Sequence, residues 1–182
     1  QGFYRTASKL TLYRIYGIAC FGLSFNKSNM SINLKYLTWI AIFGSFALLV
    51  AAYGFEFLGD MSPCKMCLWQ RWPHIAVIPI GILAIYFNST ALLKVSGLII
   101  LLGAMIAFYH MGVEYKWWDG PSTCTSGTIS GLTSSELLAK ILKAPIVRCD
   151  EVQWQFFGLS MAAWNGLISI ILSIVWFKAT LK

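Results

Sequence analysis

The sequence predicts an all-α integral membrane protein, a four-transmembrane-helix bundle with two outward loops. Three observations predict it. Of the 182 residues, 58% are apolar and only 12% are charged, about half the charged share of a typical soluble domain. The apolar residues gather into four runs, and a membrane-crossing helix needs roughly 20 mostly apolar residues. Basic residues collect at one end of those runs.

The first run, Tyr36–Leu58, is interrupted only by Glu56 near its end. The second, Trp72–Phe87, is short and carries Pro73 and Pro79, which membrane helices tolerate. The third, Val95–Met111, follows the connection Asn88–Lys94, which is short enough to force a helical hairpin. The fourth is Phe156–Phe177. Residues 30–182 therefore read as one membrane domain. The first 29 residues fit less well, because Leu10–Phe25 is only modestly apolar and contains Arg14. Met30 directly precedes the first run, so the reading starts the natural chain there and treats residues 1–29 as an N-terminal extension. An interfacial helix is the alternative.

Charge sets the orientation. The residues before Tyr36, the connection Asn88–Lys94 and the tail after Phe177 hold eight basic residues and no acidic ones. All seven acidic residues lie on the other side, with six basic ones. Lys and Arg near span ends favour the cytoplasm. Both termini are thus expected in the cytoplasm, with the loops Gly59–Arg71 and Gly112–Gln155 outside. The net charge of +7 then reports membrane topology and gives no nucleic-acid signal.

This topology sorts the five cysteines. Cys20 faces inward and reads as a small interfacial hydrophobe. Cys64, Cys67, Cys124 and Cys149 face outward, where a bacterial envelope is oxidising and disulfides persist. A Cys₄ zinc site is the alternative, but such sites more often use two C-x-x-C knuckles and this chain has one. The reading is therefore redox, with no metal.

Thiol–disulfide exchange needs a thiolate. A C-x-x-C pair at a helix start exposes a sulfur to unsatisfied backbone N–H groups that favour the anion. Cys67 lies closest to the expected start of the second span and is the better placed of the two. Arg71 follows one turn later on the same face, where its charge favours a thiolate or an anion beside it. Its alternative role is an interfacial anchor. Gln70 either donates hydrogen bonds at the bilayer edge or marks the end of the span. Trp69, Trp72, Trp117 and Trp118 suit an aromatic belt. His74 and His110 are ionisable groups at membrane depth, hence functional candidates, with interhelical bonding as the alternative. A disulfide at this depth makes a membrane-soluble two-electron acceptor plausible.

In the second loop, Gly120–Pro121 signals a turn that leaves Cys124 on an exposed segment. Thr133 and Glu136 have capping-box spacing. Leu137, Leu138, Ile141 and Leu142 form an apolar stripe that Pro145 ends. The result is a short amphipathic helix lying on the membrane or on the protein. Cys149 can then turn towards Cys64 or towards Cys124.

The stretches "PCKMCLWQRWPH", "YHMGVEYKWWDGPSTC" and "CDEVQWQFFGLSMAAWN" resemble the DsbB family, quinone-reducing disulfide-generating proteins of the bacterial inner membrane. The resemblance runs from Tyr36 to Phe177. It implies two redox-active disulfides, Cys64–Cys67 and Cys124–Cys149, in periplasmic loops. A periplasmic DsbA-like thiol oxidase would attack Cys124, releasing Cys149 to attack Cys64. Cys67 would then pass electrons to ubiquinone or menaquinone, with Arg71 beside the ring and Gln70 and His74 as further contacts. The resemblance assigns no role to His110 or Glu114. In the vitamin K epoxide reductase-like family, a rival, the loop cysteines precede the C-x-x-C, whereas here they follow it. A metal-handling membrane protein and a structural scaffold are the non-catalytic alternatives.

Overall fold

The computed structural model describes residues 32–122, 124, 133, 135, 138, 142 and 147–181. Met30, Cys20 and the N-terminal extension lie outside these residues. Among the described residues four long helices run in order: α1 (Ile32–Phe57), α2 (Lys65–Phe87), α3 (Thr90–Glu114) and α4 (Met161–Lys178). Two-residue strands, β1 (Gln155–Phe156) and β2 (Leu159–Ser160), precede α4. α2 packs on α1 and α3, and α4 packs on α3 and α1, which closes a four-helix ring. The helices α1, α3 and α4 are each long and apolar enough to cross a membrane. Large apolar side chains such as Phe43, Ile82, Leu98, Leu102 and Ile171 point outward, a surface suited to lipid and costly in water.

The helix boundaries differ from the sequence reading in instructive ways. α2 begins at Lys65 rather than Trp72, because Cys64 is its N-cap and its sulfur accepts the Cys67 N–H. The added residues, about two turns, are held by Met66 and Gln70, both buried. The link to α3 is only Asn88 and Ser89. Asn88 ends α2 in the left-handed region (φ 50°, ψ 41°), where asparagine is tolerated, and Ser89 caps α3 by accepting the Leu92 N–H. α4 starts at Met161 rather than Phe156. The preceding residues form a hairpin pairing Gln155 with Ser160 and Phe156 with Leu159. Its turn residues Phe157 and Gly158 both have positive φ, 51° and 74°, as a two-residue hairpin of right-handed twist requires.

The helices bury two clusters at opposite ends. One, towards the α2–α3 turn, gathers Ile42, Val77, Leu93, Ile100, Leu172 and Trp176. Gly81 makes it possible, since a Cβ there would lie 2.6 Å from the Trp176 ring and 3.0 Å from Ile42. Small residues let membrane helices approach closely. The other cluster is built of Cys64, Met66, Val113, Cys124 and Cys149. Of the expected amphipathic helix, Ser135, Leu138 and Leu142 are described and helical, both leucines exposed. Its remaining residues, including Glu136, lie outside the described set.

Candidate functional site

All four cysteines of the sequence reading meet at one end of the bundle. Cys64 and Cys67 are unpaired thiols with sulfurs 2.9 Å apart. Cys124 and Cys149 form a disulfide with Cα atoms 5.4 Å apart, and the Cys149 N–H donates to the Cys124 carbonyl at 3.0 Å. The Cys64 sulfur, the Cys149 sulfur and a His110 ring nitrogen all lie within 4.8 Å of one another. The two pairs thus touch through Cys64 and Cys149. Cys124 is 1% exposed, which corrects the expectation of an exposed residue. Its disulfide draws it down onto Met66 and Val113.

Cys64, not Cys67, faces the start of α2, because it is the N-cap and the helix begins at Lys65, two residues before Cys67. The Cys64 sulfur accepts the Cys67 N–H at 3.2 Å and faces His110 Nε2 at 3.6 Å. The Cys67 thiol hydrogen bond, helped by His110 and opposed by burial, holds the Cys64 thiol down at about 4.

From this cluster a chain of polar side chains runs into the bundle. Gln70 Nε2 meets His110 Nδ1 at 2.8 Å and the Met66 carbonyl at 3.2 Å. Asn165 Nδ2 donates to Gln70 Oε1 at 2.7 Å. Ser169 joins Asn165 at 3.5 Å and His74 Nε2 at 3.2 Å. His74 is 2% exposed, and its Nδ1 has no partner among the described residues. Gln70 and His74 are therefore interior groups, and Gln70 is no mere span-end marker. Arg71 is not an anchor reaching for head groups either. Its guanidinium pairs with Glu56 at 2.5 Å and lies 4.7 Å over the Tyr53 ring.

A cavity of about 350 Å³ opens between α1, α2 and α4, within the usual range for small-molecule sites. Its wall is mainly apolar, including Leu48, Phe55, Trp154, Met161 and Ile168. Cys67, Gln70, Arg71, His74 and Asn165 reach it, and Cys64 does not. Trp69, Trp72, Trp117 and Trp118 are all exposed, as an aromatic belt requires.

The Cys149 segment is clamped beside its cysteine. Asp150 accepts from Arg148 at 3.0 and 2.6 Å and from Lys116, just past α3, at 2.8 Å. Arg148 chiefly, then Lys116, hold the Asp150 carboxyl below the usual carboxylate range.

The family model for disulfide bond formation protein DsbB matches residues 34–179. The chain belongs to the DsbB family. Similar proteins include an uncharacterised protein of Rickettsia prowazekii, 28% identical over 80% of this chain and 91% of its own. A disulfide bond formation protein B of Pasteurella multocida is 27% identical over 84% of this chain and 88% of its own. That of Methylococcus capsulatus is 32% identical over 65% and 76%. Membership makes the chain a membrane protein of disulfide bond formation with a disulfide oxidoreductase role, and sets aside the vitamin K epoxide reductase-like alternative.

Within this DsbB-family chain, sequence reading missed Glu56, Asn165 and the neighbourhood of His110 and Glu114. Glu114 is buried, its Oε1 3.8 Å from His110 Nε2 and its Oε2 unpartnered among the described residues. The i,i+4 spacing of His110 and Glu114 put them on one face, and that was the available signal. The metal-handling alternative needs all four outer thiols reduced, whereas Cys124 and Cys149 are bonded to each other.

Proposed function

We propose that the protein oxidises the dithiol of a periplasmic DsbA-like thiol oxidase and passes the electrons through its own cysteine pairs to membrane ubiquinone or menaquinone. α2 serves as the fourth membrane span, both termini face the cytoplasm, and both cysteine loops face the periplasm. The observation that carries this reading is the division of the C-x-x-C: Cys67 opens on the apolar cavity while Cys64 meets Cys149.

The cavity suits a quinone head group. It is apolar, it has room, and it offers polar groups at one wall, among them the buried, unpartnered His74 Nδ1. When bound, the quinone supplies a two-electron, two-proton acceptor. The chain's residues do the rest. Cys124 takes the attack of the partner's thiolate and Cys149 leaves; Cys149 then attacks Cys64, and Cys67 is released as a thiolate on the cavity wall. Each exchange breaks one S–S bond and forms another. Arg71, with Glu56 fixing its guanidinium, presents positive charge to that wall. Gln70 and His74 orient the bound ring, and the apolar lining keeps water away from the thiolate.

The test mixes the purified protein in lipid nanodiscs with ubiquinone and a reduced thioredoxin-like oxidase, following quinone absorbance and partner thiols together. Two partner thiols should disappear for each quinone reduced, since one dithiol gives the two electrons that one quinone takes. A partner that stays reduced beside excess quinone would sink the reading. A tag in the loop around residues 125–130 should be reached by a membrane-impermeant label in spheroplasts; protection there refutes the topology.

A further inference from the structure

The hydrogen bonds around Gln70 determine where the proton of His110 sits. The Gln70 end facing the Met66 carbonyl at 3.2 Å must be the NH₂, since a carbonyl only accepts. Its other end, Oε1, takes the Asn165 amide at 2.7 Å, so both ends are fixed. The same NH₂ lies 2.8 Å from His110 Nδ1. That nitrogen therefore accepts, and the neutral ring carries its hydrogen on Nε2, 3.6 Å from the Cys64 sulfur. With the Cys67 backbone N–H at 3.2 Å, two N–H groups from different helices converge on one sulfur. The other titratable groups facing this pair are the Cys67 thiol from α2, Glu114 from α3 at 3.8 Å from Nε2, and Cys149 from the segment before β1.

We propose that His110 is a catalytic residue of the exchange between the two cysteine pairs: a neutral Nε2–H donor that holds negative charge on Cys64 as that sulfur leaves. This rests on the relay proposed above and adds a group that the relay did not contain. The step it serves is the return of Cys149 to Cys124. The Cys124 thiolate attacks Cys149 in a Cys64–Cys149 disulfide. The Cys124–Cys149 bond forms, the Cys64–Cys149 bond breaks, and its electron pair stays on Cys64. That Cys124 thiolate is set free when the partner's second thiol attacks the mixed disulfide and closes the partner's own disulfide, and the proton of that second thiol goes to water. One disulfide replaces another, so no oxidant is consumed. The structure has the arrangement of that product, with Cys124 joined to Cys149 and Cys64 free. Gln70 is the positioning residue, since without it His110 could turn its lone pair towards the sulfur. A lone pair there would repel the anion.

The test reads the Cys64 anion directly, without quinone or partner. In the full chain in nanodiscs, a Cys67→Ala background removes the neighbouring thiol and leaves the Cys124–Cys149 disulfide intact. The pH dependence of Cys64 alkylation by iodoacetamide is then followed by mass spectrometry. A hydrogen bond to a charged group is large enough that His110→Phe should raise the midpoint by about one pH unit, a roughly tenfold loss of thiolate below it. The limiting rate at high pH, which reports access, should stay unchanged. His110→Gln, which keeps an N–H donor, should recover part of the shift. His110→Asn, polar but shorter, should behave as His110→Phe does and guards against a phenylalanine variant that does not fold. An unmoved midpoint in a folded His110→Phe or His110→Asn protein overturns the proposal, even if quinone reduction proceeds. A shifted midpoint supports it, even if quinone reduction by the parent chain fails.

Discussion

Cys64 and Cys67 are three residues apart on one turn of helix, yet they stand in opposite surroundings. Cys64 is 3% exposed and ringed by donors and by the second cysteine pair. Cys67 is the more open of the two and lies on the wall of an apolar cavity. An α-helix turns its residues by about 100° each, so positions i and i+3 share a face while pointing at different neighbours. Capping the helix with the first cysteine sends that sulfur towards α3 and the second loop. The second cysteine is left to face α1 and α4. A C-x-x-C at a helix start can therefore set one sulfur against a second cysteine pair and the other on a cavity wall without a moving domain between them.

The comparison breaks most sharply at the loop cysteines. Cys124→Ala is expected to drop partner reoxidation to background, while added quinone still oxidises Cys64 and Cys67. Thiol trapping of each pair after quinone addition checks this, and normal partner turnover would refute the division. Arg71→Ala comes next and should act on the Cys67 side alone. Losing a charged hydrogen-bond donor leaves Glu56 unpaired and weakens the cavity wall, so the apparent KM for quinone should rise about tenfold. The KM for the partner should hold; an equal rise in both would mean that Arg71 supports the whole bundle end.

Much of this architecture was readable from the chain. The four helices, their hairpin link and the grouping of cysteines follow from hydropathy runs and spacing, because lipid leaves a helix few alternatives. The start of α2 was misplaced since residues 65–71 look polar. Lys65, Gln70 and Arg71 break the apolar run, but Gln70 is paid for by Asn165 and Arg71 by Glu56. Those partners lie 95 and 15 positions away, and one sequence carries no signal linking them. The hairpin at Gln155–Ser160 hid inside an aromatic stretch that hydropathy alone assigns to the fourth span. Cys124 was expected on an exposed segment because Gly-Pro turns usually lie at surfaces; its bond to Cys149 holds it against Met66 and Val113.

Gln70→Leu tests the join between the two sides. It keeps the shape and removes all three amide contacts, leaving the buried His110 Nδ1 and the half-buried Asn165 Nδ2 without these partners. Each such group costs about 1–3 kcal/mol, so thermal unfolding in nanodiscs should fall by several degrees, and exchange at Cys64 and quinone use at Cys67 should both slow. A loss confined to quinone use would show that Gln70 serves the cavity only.

The smallest effect is expected on the Cys64 side, at Asp150. Its carboxyl is held below the usual range by Arg148 first and Lys116 second, so its folded value lies under the ordinary value of about 4. A group depressed in this way contributes stability above its unfolded value and loses it only as pH falls through the folded one. The clamp beside Cys149 should thus be fully formed at pH 7 and at pH 5, weakening only in stronger acid. Asp150→Asn removes the charge at every pH. Because these ion pairs lie near the surface, the cost should be at most about 1 kcal/mol, seen as faster hydrogen exchange at Cys149 and its neighbours. High salt should narrow the gap between variant and parent. If Asp150→Asn instead slows quinone reduction while leaving the Cys149 segment protected, the clamp does not serve the cysteine beside it, and the two sides of the C-x-x-C are less separate than their geometry indicates.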